Sequence, residues 1–354
     1  MTDIFFKIEE SLAAKRPFAV YSKPGSKVVT GIFQDDDTAI FLMDFSQKGF
    51  VFAPFKGGNV CFIPADGATI LSSEIEYNDG SISEPAPASI DETAKTNFGN
   101  LVAHSVAAIQ QGQFKKLVVS RSETINIGSA DITHIYLKLL NSYPAAFRYC
   151  FYHPYSGLWM GATPEQLLKV ENDILKTVAL AGTQLYTAGE TAVWETKERE
   201  EQQFVTDYIL NELHDHTDAI TATKPYTFRA GNIVHIKTDI LATLKPDNNL
   251  QDIINTLHPT PAVCGLPKVP AMQFLLNNEG YDREYYSGYL GELNRDFTTG
   301  NEKTDLFVNL RCMKIENGTA NLYIGCGITK DSDPEKEFFE TVNKSMTMRK
   351  VIAP

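Results

Sequence analysis

No C-x-x-C pair occurs in this 354-residue chain. Its five cysteines, Cys61, Cys150, Cys264, Cys312 and Cys326, are odd in number and far apart. That pattern indicates neither a disulfide framework nor a zinc site; reduced, buried thiols are expected. No apolar run approaches the length of a membrane span. The opening stretch MTDIFFKIEESLAAKRPF lacks a basic start followed by an apolar core, so no secretory signal is expected and a cytoplasmic setting is. Basic charge is in deficit: the formal net charge is -12 and the pI near 5.1. Such a surface argues against nucleic acid or an anionic membrane as a main partner. A small acidic substrate is still admissible, because a metal ion or a few placed cations reverse the field locally. No internal repeat is evident.

What remains is the composition of a globular protein, 43% hydrophobic and 21% charged, long enough for one large domain or two ordinary ones. Residues 18–75 read as short strands and turns: FAVYS, KVVTGIF, AIFLMDF, NVCFIPA. NDGSISEPAPASIDET (78–93) reads as a linker or long surface loop. After it come a helix, a glycine turn, and a buried strand from about Lys116. The remainder alternates strands (FRYCFYHP, LWMGAT, LLKVEND, ILKTVAL, IVHIKTDI, DLFVNLRCMKI, ANLYIGCGI) with helices near 192–214, 269–278 and 334–350. The tight turns in VENDIL and IENGTAN predict antiparallel hairpins and an α+β fold, not a doubly wound parallel sheet. Residues 1–95 are taken as a strand-rich part of the same fold as 96–354.

Two acidic helices raise a question about buried charge. Around KEREEQQFV (197–205), at about 100° per residue, Trp194, Phe204, Val205 and Tyr208 share one apolar stripe, with Ile209 at its edge. Glu201 falls near the centre of that stripe, Glu198 close by, Glu200 to the side, and Glu212 on it again. A carboxylate on a buried face must be paired, hydrogen-bonded or metal-bound. A solvated Glu201 on an early turn fits the same pattern. In DPEKEFFETVNK (333–344), Asp333 reads as N-cap and Pro334 as first-turn residue, with Phe338, Phe339, Val342 and Met346 as the apolar face. By pattern alone Glu340 is a solvated glutamate paired with Lys344. Gly325 and Gly327 end the preceding strand and could free amides for an anion, or merely mark a bulge. HPTPAVCGLPKVPA (258–271) carries four prolines and predicts a rigid loop with a helix starting near Pro270.

Nine collinear segments between about Gly112 and Met348 resemble the chorismate-binding enzymes: isochorismate synthases, salicylate synthases, and the large subunits of anthranilate and aminodeoxychorismate synthases. They are KLVVSR (116–121), TPEQLL (163–168), ALAGT (179–183), KEREEQ (197–202), HPTPAVCG (258–265), GYDREYYSG (280–288), LRC (310–312), IGCGI (324–328) and DPEKEFFETVNK (333–344). The resemblance implies a single α+β domain, two large antiparallel sheets enclosing helices, with the site in a deep cleft. Residues 96–354 would form the chorismate-binding catalytic region. Glu201 and Glu340 would hold Mg²⁺, with Glu198 and Glu337 as supporting carboxylates; this metal prefers oxygen ligands and keeps several waters, so few protein ligands suffice. The resemblance also implies that Arg311 and Tyr286 bind the enolpyruvyl carboxylate, and that Gly325, Gly327 and Lys344 lie near the ring carboxylate. His235 in NIVHIK matches a histidine near the substrate, although a hydrogen-bonded strand histidine reads equally well. Gly182 and Thr183 of ALAGT and Ala262 complete the implied substrate contacts.

Lys116 matches the lysine that takes a proton from water, and Glu165 the acid that protonates the departing 4-hydroxyl. Read from pattern alone, Lys116 is a lysine snorkelling from a strand end. As base it must lose its proton near neutral pH, and Glu165 must keep one. The resemblance therefore points to an isochorismate synthase, an isomerase. Ala181 stands where aminodeoxychorismate synthases carry a nucleophilic lysine. Ala262 stands where anthranilate and salicylate synthases carry threonine. Salicylate synthase, an ammonia-using synthase and a catalytically dead chorismate-binding protein are the alternatives. A monomer is expected, without a glutamine amidotransferase subunit, serving menaquinone or siderophore synthesis.

Overall fold

A computed structural model describes residues 2–75, 90–187, 189, 191–230 and 233–353. Among them lie seven α-helices: α1 (Thr2–Ala13), α2 (Glu92–Gln110), α3 (Ile132–Ser142), α4 (Thr196–Leu213), α5 (Leu250–Leu257), α6 (Lys268–Asn278) and α7 (Pro334–Ile352). The first sheet runs, edge to edge, β14 (Gly265–Leu266), β6 (Lys116–Asn126), β18 (Thr319–Ile328), β17 (Cys312–Glu316), β8 (Gly157–Thr163), β7 (Phe147–His153), β1 (Phe18–Ser22), β2 (Val28–Gln34), β5 (Ala68–Glu74). The second runs β11 (Thr217–Ala222), β13 (Ile233–Leu244), β10 (Ile174–Leu185), β9 (Gln166–Glu171), β16 (Thr304–Val308), β15 (Tyr289–Leu293), β3 (Gly49–Ala53), β4 (Cys61–Pro64), with β12 (Tyr226–Ala230) also paired to β13. The recorded strand pairs are antiparallel, as the hairpins predicted. In VENDIL, Asn172 and Asp173 both take positive φ; in IENGTAN, Asn317 and Gly318 do. Those angles build the two-residue turns whose twist matches the flanking strands.

The strands are apolar on both faces because both faces are covered. Within β1, Phe18 and Val20 join a cluster with Ile4 and Ile8 of α1, Leu139 of α3 and Met348 of α7. Ala19 and Tyr21 point the other way, into an aromatic layer shared with Phe50, Phe52 and Phe307 of the second sheet. The second sheet's far face packs on α4 and α5 through Val205, Ile209, Ile253 and Leu257. The helices thus lie outside the paired sheets rather than between them. Residues before 96 belong to the same body: β1, β2 and β5 extend one sheet, β3 and β4 the other. Tyr21 Oη donates to Glu292 Oε1 of β15 at 2.5 Å across the aromatic layer.

Several expectations need correction. AIFLMDF is no strand; Phe41 makes only an isolated bridge to Cys61, and β3 and β5 supply the unrecognised pairing. Residues 78–89 of the expected linker lie outside the described residues, and Asp91 caps α2 by accepting from Thr93 N and Ala94 N. α3 and α5 fall where no helix was expected. DLFVNLRCMKI is two strands in different sheets, β16 in the second and β17 in the first, with Arg311 at φ +48° in the joint. Among its other crossings, the chain changes sheet between β8 and β9, at Pro164–Glu165. The two joints are hydrogen-bonded side by side: Thr163 Oγ1 donates to Val308 O (2.6 Å), Val308 N to Glu165 O (2.9 Å), and Ala162 N to Arg311 O (3.0 Å). This seam delivers Glu165 and Arg311 to one place.

Candidate active site

One enclosed cavity at the seam is lined by Glu165, Gly182, Thr183, Glu201, His235, Ala262, Tyr286, Arg311, Gly325, Gly327 and Lys344, together with Ala181 and Val118. Lys116 and Val118 share one face of β6, opposite Leu117 and Val119, which sit in an apolar cluster under α2 and α6. Lys116 is not among the lining side chains. Its Nζ, wholly buried, meets the cavity at Glu201 Oε1, 2.9 Å away.

Glycine makes that meeting possible. A Cβ on Gly327 would fall 2.0 Å from Glu201 Oε1. In the ladder Gly325 faces Ser120 and Gly327 faces Val118. Val118 N donates outward to Cys264 O (2.7 Å) and Ser120 N to Glu279 Oε1 (2.8 Å), so neither bonds β18. By antiparallel alternation the Gly325 and Gly327 backbone groups also turn away from β6, onto the edge that β17 leaves unpaired. Lys344 Nζ takes the Gly325 carbonyl at 3.0 Å; the neighbouring amides are placed to receive an anion.

On the opposite wall β10 bulges between Ala181 and Thr183, with Gly182 at φ +71°. The bulge turns the Gly182 carbonyl to His235 Nδ1 (3.0 Å), with Thr183 Oγ1 3.3 Å from the same nitrogen. Nδ1 therefore carries the proton and Nε2, buried without a partner among the described residues, is left as an acceptor. Burial, with Arg311 and Lys344 nearby, lowers the His235 pKa to about 3, so the ring stays neutral.

Charge in the site is unevenly satisfied. The Glu165 carboxyl has no hydrogen-bond partner among the described residues, and burial, against the pull of Lys116, Arg311 and Lys344, raises its pKa to about 7. Burial would raise Glu201 too, but Lys116, then Lys197 and Lys344, hold it below the usual carboxylate value. The Arg311 guanidinium makes no hydrogen bond or ion pair among the described residues. An unpaired buried cation is costly, and a bound carboxylate is its natural complement.

The remaining carboxylates sit just beyond. Glu340 lines an adjoining mouth with Lys344 and Thr183, and pairs with Lys344 Nζ at 2.7 Å. Glu337 is buried, bonded to Lys197, with Oε2 unpartnered; burial and Glu340 raise its pKa. Lys197 lies within electrostatic reach of Glu337, Glu201 and Glu340. No group of three or more histidine, cysteine or acidic side chains is drawn tightly enough to share a metal among the described residues. Carboxylate oxygens, one of them orphaned, are the donors a hard divalent cation takes, but each is held by its own lysine: Glu201 by Lys116, Glu340 by Lys344 and Glu337 by Lys197. Glu198 is engaged elsewhere. Its carboxylate accepts from Glu195 N (3.1 Å) in a capping box at the start of α4.

The expected helix faces shift in detail. Trp194 precedes α4, Ile209 is central to the buried face, and Glu212 is exposed. On α7 the buried stripe is Glu337, Phe338, Thr341, Lys344, Ser345 and Met348, while Phe339 is exposed. The periodicity was legible, but the face toward the site is polar.

Other supporting residues escaped the sequence. Arg283, buried, donates to Val263 O (2.8 Å), Val118 O (2.6 Å) and Glu279, clamping the proline-rich loop to β6. Glu279 in turn receives Ser120 N and Oγ. Asn309, at the sheet-changing joint, accepts from Tyr149 Oη (2.5 Å) and donates to Tyr285 O (2.9 Å). Arg283 lies within GYDREYYSG, flanked by Asp282 and Glu284, so the local pattern reads as an ordinary charged turn and carried no signal of burial.

The chain is 30% identical over 265 residues to a salicylate biosynthesis isochorismate synthase of Pseudomonas aeruginosa (71% of this chain, 54% of that one). It is 29% identical over 270 residues to the isochorismate synthase MenF of Escherichia coli (73% and 60%). The aligned part thus spans between about half and two thirds of these relatives' length. The solved structure of Escherichia coli MenF superposes with a TM-score of 0.78 at 19% identity, over 95% of this chain and 89% of that one, showing a shared fold that includes the N-terminal strands. A family model described as "Chorismate binding enzyme" matches residues 68–353, and the chain belongs to that family.

Proposed function

We propose that this protein is a Mg²⁺-dependent isochorismate synthase, converting chorismate to isochorismate. One observation carries the reading: a carboxyl held near a pKa of 7, Glu165, shares a cavity with an unpaired guanidinium, Arg311, while a buried lysine, Lys116, adjoins it at Glu201. Arg311, with Tyr286 beside it, takes the enolpyruvyl carboxylate. The Gly325 and Gly327 amides and Lys344 face the ring carboxylate. Glu201 and Glu340, supported by Glu337, would hold the cation, which supplies positive charge to the ring carboxylate when bound.

Lys116 accepts a proton from water as its oxygen bonds to C2. The ring double bonds shift, the C4–oxygen bond breaks, and Glu165 gives its proton to the departing hydroxyl. One water enters and one leaves, with no redox change. Lys116 can act so only when it is not the counter-ion of Glu201. The Nε2 of His235 offers an acceptor to a ring hydroxyl. Ala181 places a methyl, not an amine, in the cavity wall, which disfavours a covalent lysine adduct. The cytoplasmic, monomeric setting belongs to this reading, as does a place at the head of menaquinone or siderophore synthesis.

Chromatography of the products from chorismate, with and without Mg²⁺ and ammonium, tests it. Isochorismate is the expected product. Salicylate with pyruvate, an aminated product, or tight binding without turnover would each replace the reading with one of its alternatives.

A further inference from the structure

The edge of β6 has little strand beside it. β14 is two residues long and meets only Lys116 and Leu117. Beyond it a buried ion pair takes over, Arg283 with Glu279, each side chain 2% exposed. Every N–H of the Arg283 fork is engaged. Nε donates to Glu279 Oε2 (2.8 Å), Nη2 to Glu279 Oε1 (2.6 Å) and Val118 O (2.6 Å), and Nη1 to Val263 O (2.8 Å) and, at greater length, Ser287 Oγ (3.5 Å). The guanidinium lies 4.4 Å from the centre of the Phe55 ring and 5.7 Å from that of Tyr286. Tyr286 N closes a turn onto Arg283 O (2.8 Å), and Ser287 N donates to Asn309 O (2.9 Å) at the joint that carries Arg311. Val118, Val263 and Tyr286 all line the enclosed cavity; Arg283 stands behind them and does not.

We propose that Arg283 is a positioning residue for the substrate: by locking Val118, Val263 and Tyr286 into one wall, it sets where the Tyr286 hydroxyl meets the carboxylate that Arg311 receives. The inference rests on the chorismate reading above. The guanidinium is rigid and planar, so the two carbonyls it bonds and the ring beside it are held at fixed separations. The Tyr286 hydroxyl has a narrow seat, since a Cβ on Gly325 would fall 2.7 Å from its Oη. A wall that loosens by a fraction of an ångström moves that hydroxyl off its acceptor. Stability alone is a poor reason for this pair, because apolar residues of similar volume often replace a buried ion pair without loss. What apolar residues do not supply is a fixed distance from Val118 O to Val263 O and to a phenol ring. Arg283 touches no substrate; it acts through Tyr286.

The test is a double-mutant cycle on chorismate kinetics with Mg²⁺ present. Arg283→Lys keeps the charge but offers an ammonium where a planar fork stood. It should raise KM about tenfold, with kcat lowered less, as the loss of one charge-assisted hydrogen bond does. Tyr286→Phe should raise KM by a similar factor, and the double variant should be little worse than either single one. Combined with Thr183→Ala on the opposite wall, Arg283→Lys should instead show effects that multiply. Glu279→Gln keeps an acceptor for Ser120 and removes the charge that aligns the fork. It should move KM in the same direction, and carries the cycle if Arg283→Lys does not fold. A folded variant of either residue with unchanged KM, or one whose effect multiplies with that of Tyr286→Phe, would overturn the positioning role and leave the chorismate reading intact. Wild-type protein that does not convert chorismate would overturn both.

Discussion

The Lys116 ammonium lies 2.9 Å from the Glu201 carboxylate, and the lysine side chain is wholly buried. The residue matched to the base and the residue matched to the metal ligand are thus each other's counter-ion. Two assignments that look independent in sequence become one device. What else Glu201 holds therefore decides what stands beside the Lys116 ammonium. The cavity wall is cut for this pair, since Gly327 alone among residue types leaves room for the Glu201 oxygen.

Lys116→Ala should lower conversion of chorismate by about 10²–10⁴-fold, the range for a general base. Binding of chorismate, measured by calorimetry with Mg²⁺ present, should persist. The variant should also be less stable, by about 3–5 kcal/mol if Glu201 is left uncompensated. That deficit should shrink in acid, where Glu201 takes a proton. Wild-type turnover by the variant excludes Lys116 as base.

Glu165 sets a pH limit. Its pKa is raised from 4.5 to about 7, chiefly by burial. A carboxyl raised in this way contributes stability that is fully present below about pH 4.5 and lost as pH rises through 7. The same proton is the one given to the leaving hydroxyl, so kcat/KM should fall above about pH 7. Glu165→Gln should remove that descending limb with a loss of about 10²–10⁴-fold in kcat. It should also flatten the decline of stability between about pH 5 and pH 8. A wild-type kcat/KM that stays level to pH 9 would remove Glu165 from the role of acid.

How much of this could be read from the chain depended on whether a residue's local pattern matched its tertiary duty. Asn172–Asp173 and Asn317–Gly318 announced their hairpins because positive φ is a local demand. Asp333 and Pro334 announced α7 because capping is local too. The same chemistry marks the overlooked helices: Asp131 accepts from Thr133 N and His134 N, and Asn249 from Gln251 N. The polar stripe of α7 misled because Glu337, Thr341 and Lys344 face a cleft that only folding creates. DLFVNLRCMKI hid a change of sheet, since an apolar run says nothing about which sheet it joins. Lys116 looked like any lysine at a strand end, and only the collinear match with relatives singled it out.

Gly327→Ala tests the carved wall. The new Cβ would lie 2.0 Å from Glu201 Oε1 and 2.7 Å from its Cδ, so the carboxylate must swing away. β18 keeps its pairing with β6, because Gly327 takes no positive φ and the obstacle is the Glu201 side chain rather than the backbone. The expected outcome is a folded protein of lowered Tm, because Lys116 loses its buried counter-ion, with a large loss of turnover and weakened Mg²⁺ binding. An alanine variant that binds Mg²⁺ and turns over normally would show that Glu201 need not occupy the observed position.

The last prediction separates the two kinds of charge around the proposed cation. Glu340 is a candidate ligand held by Lys344, whereas Lys197 is a cation within reach of Glu337, Glu201 and Glu340. Removing a ligand and removing a competitor should move Mg²⁺ affinity in opposite directions. Calorimetric titration of the substrate-free protein should therefore show Glu340→Gln binding Mg²⁺ more weakly and Lys197→Ala binding it more tightly, each by about tenfold, or about 1.4 kcal/mol. Circular dichroism should show both folded, since α7 keeps its Asp333 cap and α4 its Glu195–Glu198 capping box. If Lys197→Ala instead weakens the metal, the lysine supports the site rather than competing for it. Unchanged affinity in Glu340→Gln would leave Glu201 and Glu337 to hold the ion without α7's second glutamate.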